Sequence, residues 1–402
     1  AELVAMGALG SALGSTGQVE ELRSLVPPMR RMLGADADPL ARAGLDHATG
    51  WLQYYDGEMS DCLMSLDRAL GGYERAGQWR QFSLVLGAKV NLLAMAGRHR
   101  EARLLVRGAL AVATDANDLR EMAGALGSLA LYCEEATASF DYSMQAAAVA
   151  RRGGYGEMEI SALTNGLEAA IETGEWPRAT EVITTLRERD GLPELERDTA
   201  LLGAALLAGY QGDDAVARAR LSEVSSDSRD GAKHDLRAWF RRVSAVVALM
   251  NGELEPAFDE ALAAITTDPS GINAPLATRT AGQAAVWMRD LHRARQILAE
   301  AGEFEGSWNQ SIQRTVEAGI AALEGRPEEA SSIYLSVLAG RRSAGDPFAH
   351  ALVAVDAATA LPAHLVPEDA IDSARTYLES IGATPLMAQL DSVLAVGSAP
   401  ST

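Results

Sequence analysis

Gly97-Arg98-His99-Arg100-Glu101-Ala102 closes one apolar helical run, Gln81 to Ala96, and opens another, Arg100 to Ala113. Glycine lets a chain leave one helix in a left-handed turn and reverse. The alanine five residues on lies in the first turn of the returning helix, where only a small side chain lets two helices approach closely. The stretch therefore predicts a helical hairpin hinged at Gly97.

The hairpin recurs. The same reading places hinges at Gly17, Gly57, Gly97, Thr137, Gly174, Gly212, Gly252, Arg289, Gly325 and Leu365, spaced by 36 to 40 residues. Five residues after the hinges stand Leu22, Cys62, Ala102, Tyr142, Ala179, Ala217, Ala257, Ala294, Ala330 and Ala370. Seven residues before them stand Gly10, Gly50, Val90, Ala130, Leu167, Ala205, Ala245, Gly282, Ala318 and Ala358. Two small-residue columns in phase with the turns indicate a stack of repeats. Strand alternation is absent, so the chain reads as all-α, a solenoid of about ten helical hairpins. Asp38-Pro39 and Asp346-Pro347 read as N-cap plus first-turn proline, and Ser225 to Gly231 as a loop between repeats. Residues 384–396 read as a last helix capping the apolar edge of the final hairpin. One continuous repeat domain is thus expected over 1–396, with a frayed tail at 397–402.

At 402 residues, 48% of them hydrophobic, the chain can bury a large core. Its formal net charge of −20 repels phosphate backbones and anionic lipid surfaces. The arginines form doublets (Arg30-Arg31, Arg151-Arg152, Arg241-Arg242, Arg341-Arg342) and no basic stripe, so neither nucleic-acid nor membrane binding is expected. No apolar run approaches the roughly 18 residues of a membrane span. Two distant cysteines, Cys62 and Cys133, fit a reduced cytoplasmic protein. Lys89 and Lys233 are the only lysines beside abundant alanine and glycine, a skew that reads as a GC-rich bacterial genome. The chain opens inside an apolar periodic run (Leu3, Val4, Met6, Leu9, Leu13) and reads as a piece of a longer polypeptide.

The columns resemble the tetratricopeptide repeat family, and the phrases from Gly97 to Ala102, Gly174 to Ala179 and Gly325 to Ala330 are similar to that family's mid-repeat. The resemblance implies a right-handed superhelix, although the family's period is 34 residues. The longer repeats, with the ending Ala374-Arg-Thr-Tyr-Leu-Glu-Ser-Ile-Gly-Ala-Thr-Pro-Leu386, are similar to the C-terminal regions of bacterial LuxR-type and adenylate-cyclase-like signalling ATPases. That implies an ATPase or output domain elsewhere in the same parent polypeptide.

No catalytic constellation stands out. Neither lysine falls in the Gly-x-x-x-x-Gly-Lys-Ser/Thr phosphate loop, and no Gly-x-Ser-x-Gly is present. The histidines show no metal-ligand spacing, so no metal site, cofactor or enzymatic activity is expected. Glu134, Glu135, Glu168 and Glu172 read as solvated acids, with a catalytic pair or metal cluster as the rival reading.

In the repeat family the first helix of each hairpin lines a concave face through the positions 13, 10, 6, 3 and 2 before the hinge. Carried onto this chain, these include Trp51, Tyr54, Tyr55, Asn91, Glu168, Trp239, Arg242, Arg279, Gln283 and Trp287. Asn91 matches the family's backbone-gripping asparagine, whereas the lysines of its carboxylate clamp are missing. Aromatic and arginine side chains are common recognition anchors. Trp239, Arg242, Arg279, Gln283 and Trp287 are therefore expected to form the main patch, and charge reversal at both arginines to weaken binding without unfolding. The expected function is a non-catalytic interaction or sensor domain of a bacterial signalling or transcription regulator, binding a protein, peptide or small effector. A free-standing peptide-sensing regulator or assembly scaffold is the alternative, and a helical-repeat enzyme the more distant one.

Overall fold

The structure is a computed structural model describing residues 2–15, 17–34, 38–95, 98–133, 136–189, 191–231, 234–269, 273–302 and 306–397. Among the described residues it is all-α, and it divides into two compact units, Ala1–Tyr132 and Cys133–Thr402. The first holds α1 (Glu2–Ser15), α2 (Val19–Met32), α3 (Pro39–Tyr55), α4 (Met59–Arg75), α5 (Trp79–Met95), α6 (His99–Asp115) and α7 (Leu119–Tyr132). The second runs from α8 (Ala136–Gly153) through α9 (Gly156–Glu172), α10 (Trp176–Arg187), α11 (Glu194–Gln211), α12 (Asp214–Glu223), α13 (Ser226–Asp230), α14 (His234–Met250) and α15 (Leu254–Thr267). It continues with α16 (Asn273–Trp287), α17 (Leu291–Ala301), α18 (Ser307–Leu323), α19 (Pro327–Ser343), α20 (Pro347–Ala360), α21 (Glu368–Ile381) and α22 (Thr384–Gly397). Among the described residues no helix is long and apolar enough to cross a membrane.

The turns form where left-handed backbone is available. Gly17, Gly57, Gly174, Gly212, Gly252 and Gly325 have φ between +75° and +86°, and Arg289 takes φ +57° at a turn without glycine. Three expected hinges differ. Gly97 lies outside the described residues. Thr137 stands inside α8, with α7 ending at Tyr132, and the chain divides there, so α7 and α8 fall in different units. Leu365 ends a short 3-10 turn, Ala363–Leu365, whereas α20 already stops at Ala360 ahead of Pro362. Asp38 and Asp346 cap their helices, accepting from the N–H of Leu40 and Ala349.

Packing follows the small columns. Every residue seven before a hinge is buried, and of those five after a hinge only Tyr142 is not. Close approach explains the glycines: a Cβ on Gly10 would stand 2.7 Å from the Ala48 Cβ, and one on Gly282 would stand 2.5 Å from Val316 Cγ2. Within each unit successive helices pack on one another, and alternate ones also meet, as in α1 with α3, α9 with α11 and α16 with α18. Ala257 is fully buried in α15. Ala257→Leu should therefore destabilise by about 1–3 kcal/mol through overpacking, read as a lower melting temperature; an unchanged melt would refute this packing.

Two features of the second unit go beyond the sequence reading. The serine-rich segment expected as loop contains α13, held because Asp198 of α11 accepts from the Ser225 hydroxyl (2.5 Å) and the Ser228 hydroxyl (2.7 Å). The unit also closes on itself. Phe348 of α20 packs edge-on against Trp176 and Tyr210, and the Tyr377 hydroxyl of α21 donates to the Thr173 carbonyl at 3.2 Å. The helix α22, at the place expected for a cap, packs on α20, α21 and also α11.

Candidate functional site

Closure of the second unit brings the inner positions of distant helices together. Arg242 of α14 is fully buried. Its guanidinium donates to Glu168 (2.6 Å), Glu172 (3.3 Å) and the Asn273 side-chain oxygen (3.0 Å). Arg279 of α16 donates to the other Glu172 oxygen at 2.8 Å and to the Tyr210 hydroxyl at 2.9 Å. Apart from Asn273, 31 residues from Arg242, the partners are separated by 69 to 107 residues of chain, so the interior curvature assembles this network. Burial pushes the Glu168 carboxyl up, against the pull of Arg242. For Arg279 burial acts downward, but Glu172 and Tyr210 outweigh it and hold the guanidinium above its ordinary value. A buried ion pair is costly to desolvate and more costly to break.

One step along the same interior lies Asp356 of α20, 3% exposed. It accepts from Gln283 Nε2 at 3.2 Å and from the Trp287 indole N–H at 3.1 Å. Burial raises its carboxyl to about 7, with Gln283 and Trp287 pulling the other way. In the unfolded chain the group ionises near the ordinary 3.8. Between these values the folded state holds a proton that the unfolded state has released, so stability falls as pH rises through that window. Asp356→Asn should remove this slope and gain on the parent from acid toward pH 8, by up to about 4 kcal/mol. Urea melts across the window check this; parallel curves for the two proteins would refute it.

Arg279, Gln283, Thr315, Tyr334 and Asp356 line a cavity walled otherwise by Gly282, valines and an isoleucine. It is small, with room for about one water molecule. Tyr334 is fully buried, and its hydroxyl, like Arg279 Nε, has no hydrogen-bond partner among the described residues.

The expected patch is thus partly assembled. Arg242, Arg279, Gln283, Trp287 and Glu168 meet in the interior of one unit. Trp239 is half-buried in α14, its indole N–H buried with no partner among the described residues. The expectation of solvated acids does not hold for Glu172, which is 5% exposed. Glu134 and Glu135 lie outside the described residues. Because Arg242 and Arg279 are 0% and 8% exposed and ion-paired, charge reversal there would place repelling carboxylates in the core. It cannot be expected to spare the fold.

The positions in the first unit serve packing among α1, α3, α5 and α7. Trp51 donates its indole N–H to His47 Nε2 at 3.1 Å and stacks on Tyr55, whose hydroxyl donates to the Gly14 carbonyl at 2.6 Å. Tyr54 sets its ring edge-on against both. His47 is buried, which lowers its pKa to about 4. Asn91 is exposed on α5, and its side-chain oxygen accepts from the Tyr132 hydroxyl of α7.

Tyr210, Asn273, Tyr334 and Asp356 were not among the expected site residues. Tyr210 stands two before its hinge, on an inner column, and was legible there. Asp356 was hidden by the misplaced last hinge: counted from Pro362, where the turn forms, it falls six before, as Gln283 does before Arg289. Among the described residues no group of three or more His, Cys, Asp or Glu side chains is placed to hold a metal ion.

Fold and site together define an all-helical, repeat-like protein with a buried polar interior. No protein-family model matches the chain, and no curated protein matches it. The likeness of residues 374–386 to signalling ATPases therefore stands on those residues alone.

Proposed function

We propose that the chain is a non-catalytic sensor and interaction domain: a right-handed, tetratricopeptide-like superhelix of about ten hairpins that belongs to a cytoplasmic, multidomain bacterial signalling or transcription regulator. In this reading a small effector enters the interior of the second unit and biases an ATPase or output domain of the same polypeptide. The observation that carries it is the convergence of Glu168, Arg242, Arg279, Gln283 and Asp356, inner positions of distant helices, in the interior of the second unit. Ligand pockets are on the order of several hundred Å³, so in this reading an effector is admitted only when the unit opens. Against catalysis stands the pairing of Glu168 and Glu172 with arginine, which withholds both carboxylates from acid–base work. Docking of a protein or peptide is supported by the exposed large apolar side chains Trp79, Leu84, Leu104 and Val112 in the first unit.

The test is a ligand screen read by thermal melting, because a ligand that binds the folded state raises the melting temperature. A saturable rise that Gln283→Leu abolishes is the expected result. If no compound stabilises the chain, or the variant responds like the parent, the effector site is not here.

A further inference from the structure

The first unit combines an excess of exposed apolar side chains with a local reversal of charge. Among the described residues, eight of the eleven exposed large hydrophobic side chains lie in it, although it is about a third of the chain. From Trp79 to Asp115 the α5–α6 hairpin holds six arginine or lysine residues against two acids, in a chain of net charge −20. Both features meet on one face of α6. Arg100, Leu104, Arg107, Gly108, Ala111 and Val112 share that face by helical spacing and are all exposed, Leu104 by 63% and Val112 by 68%. The opposite face, with Ala102, Val106 and Ala113 buried, packs α6 on α5 and α7. Among the described residues neither Arg100 nor Arg107 is ion-paired.

Leu104 and Val112 stand about 12 Å apart along the helix axis, two turns, with only Gly108 and Ala111 between them on this face. No atom lies within 4 Å of a Cβ added to Gly108, so the space between the two aliphatic side chains is open. A helix laid alongside meets such a face with apolar anchors at matching spacing. Charge decides which helix. Arg100 and Arg107 complement carboxylates, whereas a second copy docked on the same face about a two-fold axis would set arginine against arginine. Phosphate backbones and anionic lipid surfaces are repelled by the rest of the chain, whose second unit alone holds 40 acids against 22 basic residues. A phosphate backbone would also leave Leu104 and Val112 uncovered. We infer that this face of α6 docks an acidic amphipathic helix of a partner protein, its apolar side over Leu104 and Val112 and its carboxylates at Arg100 and Arg107. The inference rests on the protein-docking reading above and adds the face and the partner's chemistry.

The probe is a dye-labelled peptide of leucine, alanine and glutamate, about 18 residues or five helical turns long, with its leucines along one face. Titrated with the full chain and read by fluorescence anisotropy, it should bind saturably and lose affinity as salt is raised. The same peptide with lysine for glutamate, or with its order scrambled, should bind at least about tenfold more weakly. Arg100→Glu together with Arg107→Glu, and separately Leu104→Ser, should each weaken the acidic peptide at least about tenfold. These side chains are exposed, so the variants should melt with the parent. Leu84→Ser, exposed on α5, should leave the affinity unchanged. If Leu84→Ser weakens binding and the α6 variants do not, the docking reading stands at another face and this assignment falls. Equal binding of the lysine or scrambled peptide overturns the partner's chemistry. So does binding of phosphatidylglycerol vesicles or a short DNA duplex that the α6 variants abolish. If none of these probes binds, the docking reading falls with the assignment.

Discussion

Arg242→Met should destabilise the second unit by about 3–5 kcal/mol, because it removes the cation and leaves Glu168 and Glu172 facing each other with one arginine between them. The side chain is fully buried, and every donor it spends on these partners is lost at once. Adding Glu168→Gln should recover a substantial part of the loss, because it withdraws one uncompensated carboxylate. Thermal and urea melts of parent, single and double variants measure both numbers. A small loss in the single variant, or no recovery in the double, would mean that the arginine is solvated and the interior open.

Gly174→Ala should cost about 2–4 kcal/mol, from two sources that a control separates. The first is backbone: at φ +76° any Cβ is strained, by about 1–2 kcal/mol. The second is closure, because the added Cβ would stand 2.0 Å from the Tyr377 hydroxyl and 3.4 Å from the Phe348 Cβ. Gly252 has φ +75° with no atom within 4 Å of such a Cβ, so Gly252→Ala carries the backbone cost alone. The difference between the two melts isolates the contact of α21 with the α9–α10 turn. Adding Tyr377→Phe to Gly174→Ala should return part of it. Equal losses at both glycines would show that α21 does not reach this turn.

Much of the fold was legible because helix turns and close helix contacts leave local marks. Gly57 or Gly212 announces a left-handed residue, and Ala257 or Gly282 a place where two helices nearly touch. The hinge at Thr137 was misread because no glycine marks that turn, and the one at Leu365 because proline had already ended the helix three residues earlier. Closure of the second unit left no comparable signal. It depends on the accumulated rotation of many hairpins, and nothing near Phe348 or Tyr377 states that Trp176 and Thr173 will meet them. For the same reason the inner column could be named while its environment could not. Arg242 and Arg279 stand at positions that suit a ligand groove, yet the curvature delivers Glu168 and Glu172 to them as partners. Sequence spacing identifies which side chains face inward, whereas the radius of the curve decides whether they meet solvent or one another.

Helices α20 to α22 pack on α9 to α11 and enclose that polar interior. Spin labels at Glu181 on α10 and Glu379 on α21, both exposed, test this closure directly once Cys62 and Cys133 are replaced. The closed arrangement predicts one short, narrow distance distribution, lengthening in Gly174→Ala. A long or broad distribution in the parent chain would contradict it, because it would leave Arg242, Arg279 and Asp356 lining an open groove.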